Sequence, residues 1–137
     1  MSPLTPPSPA FPADTLRYDP RTDRMEEECG VFGAHGLGEA AVLTALGLHA
    51  LQHRGQEACG ITSYDGHSFH SERRLGLVGE HFTDPDLLDG LTGSVAIGHV
   101  RYSTSGAPVM RNVQPLYADV RGGGVAVAHN GNLTNAR

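Results

Sequence analysis

The pattern of polar and apolar positions divides this chain at residue 29. Residues 1–28 carry six of the nine prolines and end in Glu26-Glu27-Glu28, whereas compact apolar segments begin only afterwards. A composition of this kind cannot bury enough apolar surface to offset the loss of chain entropy on folding. We therefore expect residues 1–28 to be a disordered or extended leader, and residues 29–137 to fold as one modest domain.

Past the leader, the periodicity predicts helices and strands in alternation. Residues 39–53 carry apolar side chains at helical spacing, and Gly55 follows where a helix end is expected. Asp84-Pro85 predicts a short helical turn over residues 86–89. Strands are predicted at 31–34, at 60–64 and 68–73 as a hairpin through Asp65-Gly66, and at 94–103, 115–120 and 124–128. This order favours a layered α+β domain over a doubly wound sheet.

Composition and charge exclude several classes of function. The net charge is −5 and the ten basic residues are scattered arginines, so a nucleic-acid-binding surface is not expected. Because lysine is absent, the chain has no P-loop and no Schiff-base chemistry. The leader lacks the apolar stretch of a secretory signal, and no transmembrane span is predicted. We expect a cytoplasmic protein.

Cys29 is the most informative residue, because it stands where the leader ends. A thiol of ordinary pKa, about 8.5, is only a few per cent thiolate at neutral pH and needs a base. Cleavage between Glu28 and Cys29 would give Cys29 a free α-amino group, whose pKa of about 7.7 to 8.0 suits that task. The sequence therefore suggests an N-terminal nucleophile released by processing, although position alone also fits a buried structural cysteine.

The other potential metal and thiol ligands indicate structural roles. Cys59 lies between small residues at the start of an apolar stretch, which predicts packing. The eight histidines show no metal-site spacing, so we expect no metal site in this chain.

Two polar groups of residues follow predicted strands. Arg101 ends an apolar run and offers forked donors suited to a carboxylate, although it also fits an ordinary arginine at the edge of a core. Asn130 offers an amide donor and Gly131 an accessible backbone N–H, so the pair could form an oxyanion hole. Asn-Gly after a strand is also a common structural turn.

Four motifs in order resemble the class II, or N-terminal-nucleophile, glutamine amidotransferases. Their wording is most similar to the glutaminase domain of the amidophosphoribosyltransferase family. The matching segments are Glu27-Glu28-Cys29-Gly30-Val31-Phe32-Gly33, Leu51-Gln52-His53-Arg54-Gly55-Gln56-Glu57, Gly98-His99-Val100-Arg101-Tyr102-Ser103-Thr104 and Ala128-His129-Asn130-Gly131-Asn132-Leu133-Thr134-Asn135.

This resemblance implies a role for each matching residue. Cys29 would attack the glutamine side-chain amide with its own α-amino group as base, and Asn130 with Gly131 would hold the oxyanion. Arg101 would bind the glutamine α-carboxylate, Thr104 would shape that pocket, and Arg54 would support the active site. The fold implied is the four-layer αββα sandwich of N-terminal-nucleophile hydrolases.

The resemblance also implies a larger parent enzyme, of which residues 29–137 would be the first portion of the glutaminase domain. The parent would pass ammonia to phosphoribosyl pyrophosphate and make 5-phosphoribosylamine, the first step of purine (IMP) synthesis. Its phosphoribosyltransferase domain, with Mg²⁺ and in some members an iron–sulfur cluster, is absent from this sequence, as is the aspartate that binds the glutamine ammonium. We expect the sandwich to be truncated, the 137-residue chain alone to be inactive, and the parent to be a homo-oligomer.

Two alternatives remain at the level of the sequence. The first is the glutaminase part of another class II amidotransferase, such as glucosamine-6-phosphate synthase, glutamate synthase or asparagine synthetase. The second is an inactive binding or regulatory fragment.

Overall fold

A computed structural model describes residues 29–102 and 109–131 of the chain. In these residues six strands form an α+β fold: β1 Gly30–His35, β2 Ala58–Tyr64, β3 Phe69–Leu75, β4 Val95–Arg101, β5 Leu116–Val120 and β6 Gly123–Val127. The helices are α1 Ala40–Ala50, α2 Val78–His81 and α3 Pro85–Asp89, with 3₁₀ turns at Gln52–Arg54 and Met110–Asn112. None of these helices has the length and apolar character needed to span a bilayer.

The first four strands form one antiparallel sheet in the order β1-β4-β2-β3. The last of them in sequence, β4, lies between β1 and β2, with Gly30 opposite Val100 on one side and Gly60 opposite His99 on the other. Since β1 and β4 run in opposite directions, the residue before β1 lies beside the end of β4. This pairing brings Cys29 next to Arg101 and Tyr102.

Helix α1 covers one face of this sheet, which we call the helix face. Its residues Ala40, Ala41, Ala45 and Leu48 are buried at the helical spacing that the sequence predicted. The helix lies close to the sheet because β4 carries Gly98 there: a Cβ at that position would be 2.6 Å from Leu48 Cδ1. Complete burial of a leucine such as Leu48 contributes about 1.5 to 3 kcal/mol.

The opposite face of the sheet, which we call the open face, is more polar and only partly covered. It carries the alternate residues of the same strands, among them Val31, Thr62, Arg73, Ile97, His99 and Arg101. Two hydrogen bonds hold the chain before β5 against it: Arg73 Nη1 donates to the Val113 carbonyl at 3.1 Å, and Arg101 Nη1 donates to the Asn112 carbonyl at 2.8 Å.

The β5–β6 hairpin forms a separate two-stranded sheet beyond this segment. It contacts the first sheet through Phe69 of β3 and Tyr117 of β5, whose ring centroids are 5.2 Å apart. A groove of about 1350 Å³ separates the two sheets. The residues that line it do not include Cys29, Arg54, Arg101, Asn130 or Gly131, so this groove is not the predicted site.

Most predicted elements are confirmed, with changes at their ends. The helix predicted over 39–53 ends at Ala50 and continues as a 3₁₀ turn, and the predicted hairpin has longer strands. Helix α2 and the 3₁₀ turn at Met110–Asn112 were not predicted. The strand predicted over 94–103 ends at Arg101. Residue 103 and the predicted leader, 1–28, lie outside the described residues.

Candidate active site

The thiol of Cys29 lies at the end of β4. Cys29 Sγ is 3.3 Å from the carbonyl oxygen of Tyr102, to which it donates, and 3.3 Å from the backbone nitrogen of Tyr102, from which it accepts. The residue is partly exposed. Because the register continues from Gly30 opposite Val100, Cys29 falls opposite Arg101 and shares the open face with it.

Arg54 reaches the same residue from another part of the chain. Its Nε donates to the backbone carbonyl of Cys29 at 3.3 Å, across 25 positions of sequence. Arg54 is the last residue of the 3₁₀ turn that follows α1. The backbone position of Arg54 therefore depends on the packing of α1 against the helix face. The carbonyl that Arg54 holds is bonded to the Cα of Cys29, so the bond restrains the backbone from which the thiol projects.

Gly55 explains how Arg54 can come so close. A Cβ on residue 55 would lie 2.7 Å from the carbonyl carbon of Val100 and 2.8 Å from the backbone nitrogen of Arg101. Its backbone is extended, with φ −164°, so space and not conformation requires glycine there. The backbone of the 51–57 loop therefore packs directly on the end of β4.

Arg101 has donors left for a ligand. Nη1 of its guanidinium bonds to the Asn112 carbonyl, and no other hydrogen bond from the two terminal nitrogens is found among the described residues. Its Nε is buried and unpaired there. A guanidinium has five N–H donors in a fixed fork, which suits a carboxylate. The arrangement can bind an anion beside the thiol.

Asn130 and Gly131 follow β6 and are exposed. The chain just before them is held by a hydrogen bond from the His129 backbone nitrogen to Gln114 Oε1, at 2.7 Å. Gly131 has φ +134°, which side chains rarely adopt. Within 29–102 and 109–131, neither residue forms a hydrogen bond with Cys29 or Arg101. The structure thus brings together Cys29, Arg54 and Arg101, and among the described residues no hydrogen bond joins Asn130 or Gly131 to them.

Two predicted site residues, Glu28 and Thr104, lie outside the described residues. The remaining cysteine, Cys59, is fully buried among the core residues beneath α1, as predicted. Burial raises the pKa of the Cys59 thiol to about 12, with a smaller opposing effect of the Arg74 charge. Cys59 is therefore protonated and shielded at neutral pH.

Neither His99 nor Gln52 was predicted from the sequence as a site residue. His99 is fully buried on the open face, two residues before Arg101, and its ring nitrogens have no hydrogen bond of ordinary geometry among the described residues. Burial lowers the pKa of His99 to about 4; the nearby His129 backbone opposes this, and the charges of His129 and Arg101 add to it. The alternation of side chains along β4 could have predicted that His99 and Arg101 share a face. It could not have predicted that His99 is buried. Gln52 lies within a motif, yet its partners are distant in sequence.

The described residues bring no three histidine, cysteine, aspartate or glutamate side chains together in a way that could hold a metal ion. The chemistry that this site offers is that of a thiol beside an arginine.

No protein-family model matches the chain. Individual proteins do match it. The amidophosphoribosyltransferase of Rhizobium etli is 60% identical over 93% of this chain, and that of Lacticaseibacillus casei is 52% identical over 82% of it. A solved structure described as the allosteric regulatory enzyme of purine biosynthesis covers 77% of the chain at 48% identity, with a TM-score of 0.71. The chain is homologous to part of amidophosphoribosyltransferase.

A second solved structure supports the same assignment. The glutamine phosphoribosylpyrophosphate amidotransferase of Bacillus subtilis, in complex with ADP and GMP, covers 77% of the chain at 46% identity and a TM-score of 0.67. The chain spans about a quarter of the amidophosphoribosyltransferase of Rhizobium etli, 58% of that of Lacticaseibacillus casei and about a fifth of the solved structures. The similarity therefore concerns one portion of these enzymes.

Proposed function

We propose that this chain is the first portion of the glutaminase domain of an amidophosphoribosyltransferase. The observation that carries the proposal is the meeting of Cys29, Arg54 and Arg101 at one end of the sheet. The Cys29 thiol is partly exposed, and among the described residues the Arg101 guanidinium has one hydrogen bond, to the Asn112 carbonyl. The identity of 60% to a protein of that name supports the choice of family. The complete protein would use glutamine nitrogen to convert phosphoribosyl pyrophosphate to 5-phosphoribosylamine, the entry to purine synthesis.

The proposed reaction begins at the sulfur of Cys29. Cleavage after Glu28 frees its α-amino group, which takes the thiol proton as sulfur attacks the glutamine side-chain carbonyl. A C–S bond forms, the C–N bond breaks, and the proton leaves with nitrogen as ammonia. Water then hydrolyses the thioester to glutamate and restores the thiol.

Two groups of residues would stabilise negative charge in this reaction. The Asn130 side chain and the Gly131 N–H would donate to the oxyanion, and each such donor is typically worth about 2.7 to 4 kcal/mol in the transition state. Arg101 would hold the substrate α-carboxylate, with Thr104 beside it. We propose that bound glutamine lies between the two oxyanion donors and the thiol.

The finer fold and domain assignments belong to the same proposal. We propose that residues 1–28 are a propeptide, and that the open face is one inner surface of a four-layer αββα sandwich. Its polar, partly covered character and the separate β5–β6 sheet above it support this. We propose that Mg²⁺ and any iron–sulfur cluster belong to the phosphoribosyltransferase part of the complete protein, as the family resemblance implies. We also propose that the complete protein is a cytoplasmic homo-oligomer that binds neither nucleic acid nor membranes.

Substitution of each cysteine tests this function. In the complete protein, Cys29→Ala should abolish glutamine-dependent synthesis of phosphoribosylamine and leave ammonia-dependent synthesis intact. The matched control Cys59→Ala should keep both activities, because Cys59 is buried on the helix face. Glutamine-dependent activity that survives Cys29→Ala, or the loss of both activities in that variant, would contradict the proposal.

A further inference from the structure

The side chain of Gln52 joins two backbone segments that are far apart in sequence. Its Oε1 accepts a hydrogen bond from the backbone nitrogen of Val78 at 2.7 Å, across 26 positions. Its Nε2 donates to the carbonyl of Gly55 at 2.5 Å. One carboxamide therefore links the start of α2 to the loop that carries Arg54, and both bonds are partly buried.

The backbone at Gly55 is tightly packed, so a bond to its carbonyl affects the neighbouring end of β4. Residue 55 is buried and packs without clearance against the backbone of Val100 and Arg101. The Glu57 nitrogen, two residues on, donates to the Arg101 carbonyl at 3.1 Å. A shift of the Gly55 peptide therefore moves the loop relative to the end of β4, where the Cys29 thiol and Arg101 lie.

Arg54 connects this loop to the proposed nucleophile. Arg54 precedes Gly55 directly, and its Nε donates to the Cys29 carbonyl at 3.3 Å. The direction of that guanidinium depends on the backbone at residues 54 and 55. The Gln52 side chain restrains this backbone through its bond to the Gly55 carbonyl. Reactive groups need to be held within about 0.5 Å of productive geometry, and supporting hydrogen bonds supply that precision.

We propose that Gln52 is a positioning residue for the nucleophile: its side chain fixes the Gly55–Gln56 peptide, which restrains the backbone next to Arg54, and through Arg54 it fixes the backbone of Cys29. The inference rests on the proposed function and deepens it. Among the described residues Gln52 forms no hydrogen bond with the thiol or the predicted oxyanion donors, and the Arg101 side chain is held separately by the Asn112 carbonyl. We therefore expect the effect of Gln52 on the rate of thiol attack and not on glutamine binding by Arg101.

The first experiment replaces one atom. Gln52→Glu keeps the acceptor for Val78 and removes the donor to the Gly55 carbonyl. In the complete protein, the glutamine-dependent kcat should fall on the order of tenfold, while the KM for glutamine and ammonia-dependent synthesis stay unchanged. The matched control is Gln56→Glu, the same charge change in the same loop at an exposed residue, which should leave all three unchanged.

A double-mutant cycle separates positioning from simple destabilisation. In an Arg54→Ala background the Gln52→Glu change should have almost no further effect on kcat, since the link to Cys29 is already cut. The same fold loss in both backgrounds would overturn the inference. Should Gln52→Glu fail to fold, Gln52→Met removes both hydrogen bonds without burying a charge, and the same cycle applies.

The results distinguish this inference from the proposed function. A Gln52→Glu enzyme with the kcat of Gln56→Glu, in a protein whose Cys29→Ala variant is inactive with glutamine, overturns the inference alone. Glutamine turnover that survives Cys29→Ala overturns the proposed function, and this inference with it.

Discussion

The two faces of the four-stranded sheet differ in what covers them and in what they carry. The helix face is mainly apolar where α1 covers it, with Leu48, Cys59 and Ile61 fully buried. Its charged residues, Glu72 and Arg74, lie on the edge strand β3 and pair with each other at 2.6 Å. The open face carries His99, Arg73 and Arg101 and is held against the 110–115 segment by arginine-to-carbonyl bonds. Ordinary core packing explains the first face. The second carries polar groups that cost free energy to bury, which is expected of a functional surface.

The two cysteines show this difference within one residue type. Cys59 is on the helix face and burial raises the pKa of its thiol to about 12. Cys29 is partly exposed at the edge of the open face, with its thiol hydrogen-bonded to the Tyr102 backbone. The same side chain is a packing unit in one place and the proposed nucleophile in the other.

The largest expected effect comes from emptying the helix face. Leu48→Ala should lower the free energy of unfolding by about 2 to 5 kcal/mol, because it leaves a cavity between α1 and the sheet. Urea unfolding of the complete protein measures this. The control Leu46→Ala, at a residue 63% exposed on the same helix, should change it by less than about 0.5 kcal/mol. Equal losses at both positions would show that the two sides of α1 are packed alike.

Removal of a proposed oxyanion donor should act on catalysis and not on stability. Asn130→Ala should reduce the glutamine-dependent kcat about 10² to 10³-fold, equivalent to about 2.7 to 4 kcal/mol, with ammonia-dependent synthesis retained. Steady-state kinetics with each nitrogen source measures this. Asn112→Ala is the control, since the contact of residue 112 with Arg101 uses its backbone carbonyl. A kcat within threefold of wild type in Asn130→Ala would remove Asn130 from the mechanism.

His99 should make the open face sensitive to acid. The pKa of His99 is lowered to about 4 from 6.5, chiefly by burial, so between these values the unfolded chain binds a proton that the folded chain does not. The stability contributed by neutral His99 is complete above pH 6.5 and is lost as the pH falls towards 4, by up to about 3 kcal/mol. Unfolding free energies measured from pH 7 to 4 should show this slope, and His99→Gln should remove it. The exposed His67→Gln should keep it; an unchanged slope in His99→Gln would contradict the assignment.

The smallest expected effect concerns the buried cysteine. Cys59→Ala should lower the free energy of unfolding by about 1 kcal/mol through lost apolar burial, with glutamine-dependent activity unchanged. Chemical denaturation and kinetics of the same preparation check both parts. A tenfold loss of activity at unchanged stability would place Cys59 in the active site.

The sequence predicted elements whose signals are local. Helix α1 and the β2–β3 hairpin were predicted from periodicity and from Asp65-Gly66, whereas the four-residue α2 is too short to show a helical period. The order β1-β4-β2-β3 depends on contacts between distant strands, which local patterns do not report.

The candidate site follows the same division. Cys29 and Arg101 were predicted as site residues from their positions at the ends of segments. Arg54 was predicted from the family resemblance of its motif. The bond from Arg54 to the Cys29 carbonyl and the bond from Val78 to Gln52 join residues 25 and 26 positions apart, so only the folded chain shows them. His99 was grouped with the other histidines because they show no metal-site spacing, and its complete burial is visible only in the folded chain.

The central claim, that Cys29 is a processed nucleophile on the open face, is tested most directly by covalent labelling. The complete protein would be treated with a glutamine-mimicking electrophile, digested, and mapped by mass spectrometry. The account predicts one adduct, on a peptide whose first residue is Cys29, with Cys59 unmodified because it is buried and its thiol is protonated at neutral pH. An adduct mainly on Cys59, or an active protein labelled on a peptide in which Glu28 still precedes Cys29, would contradict it.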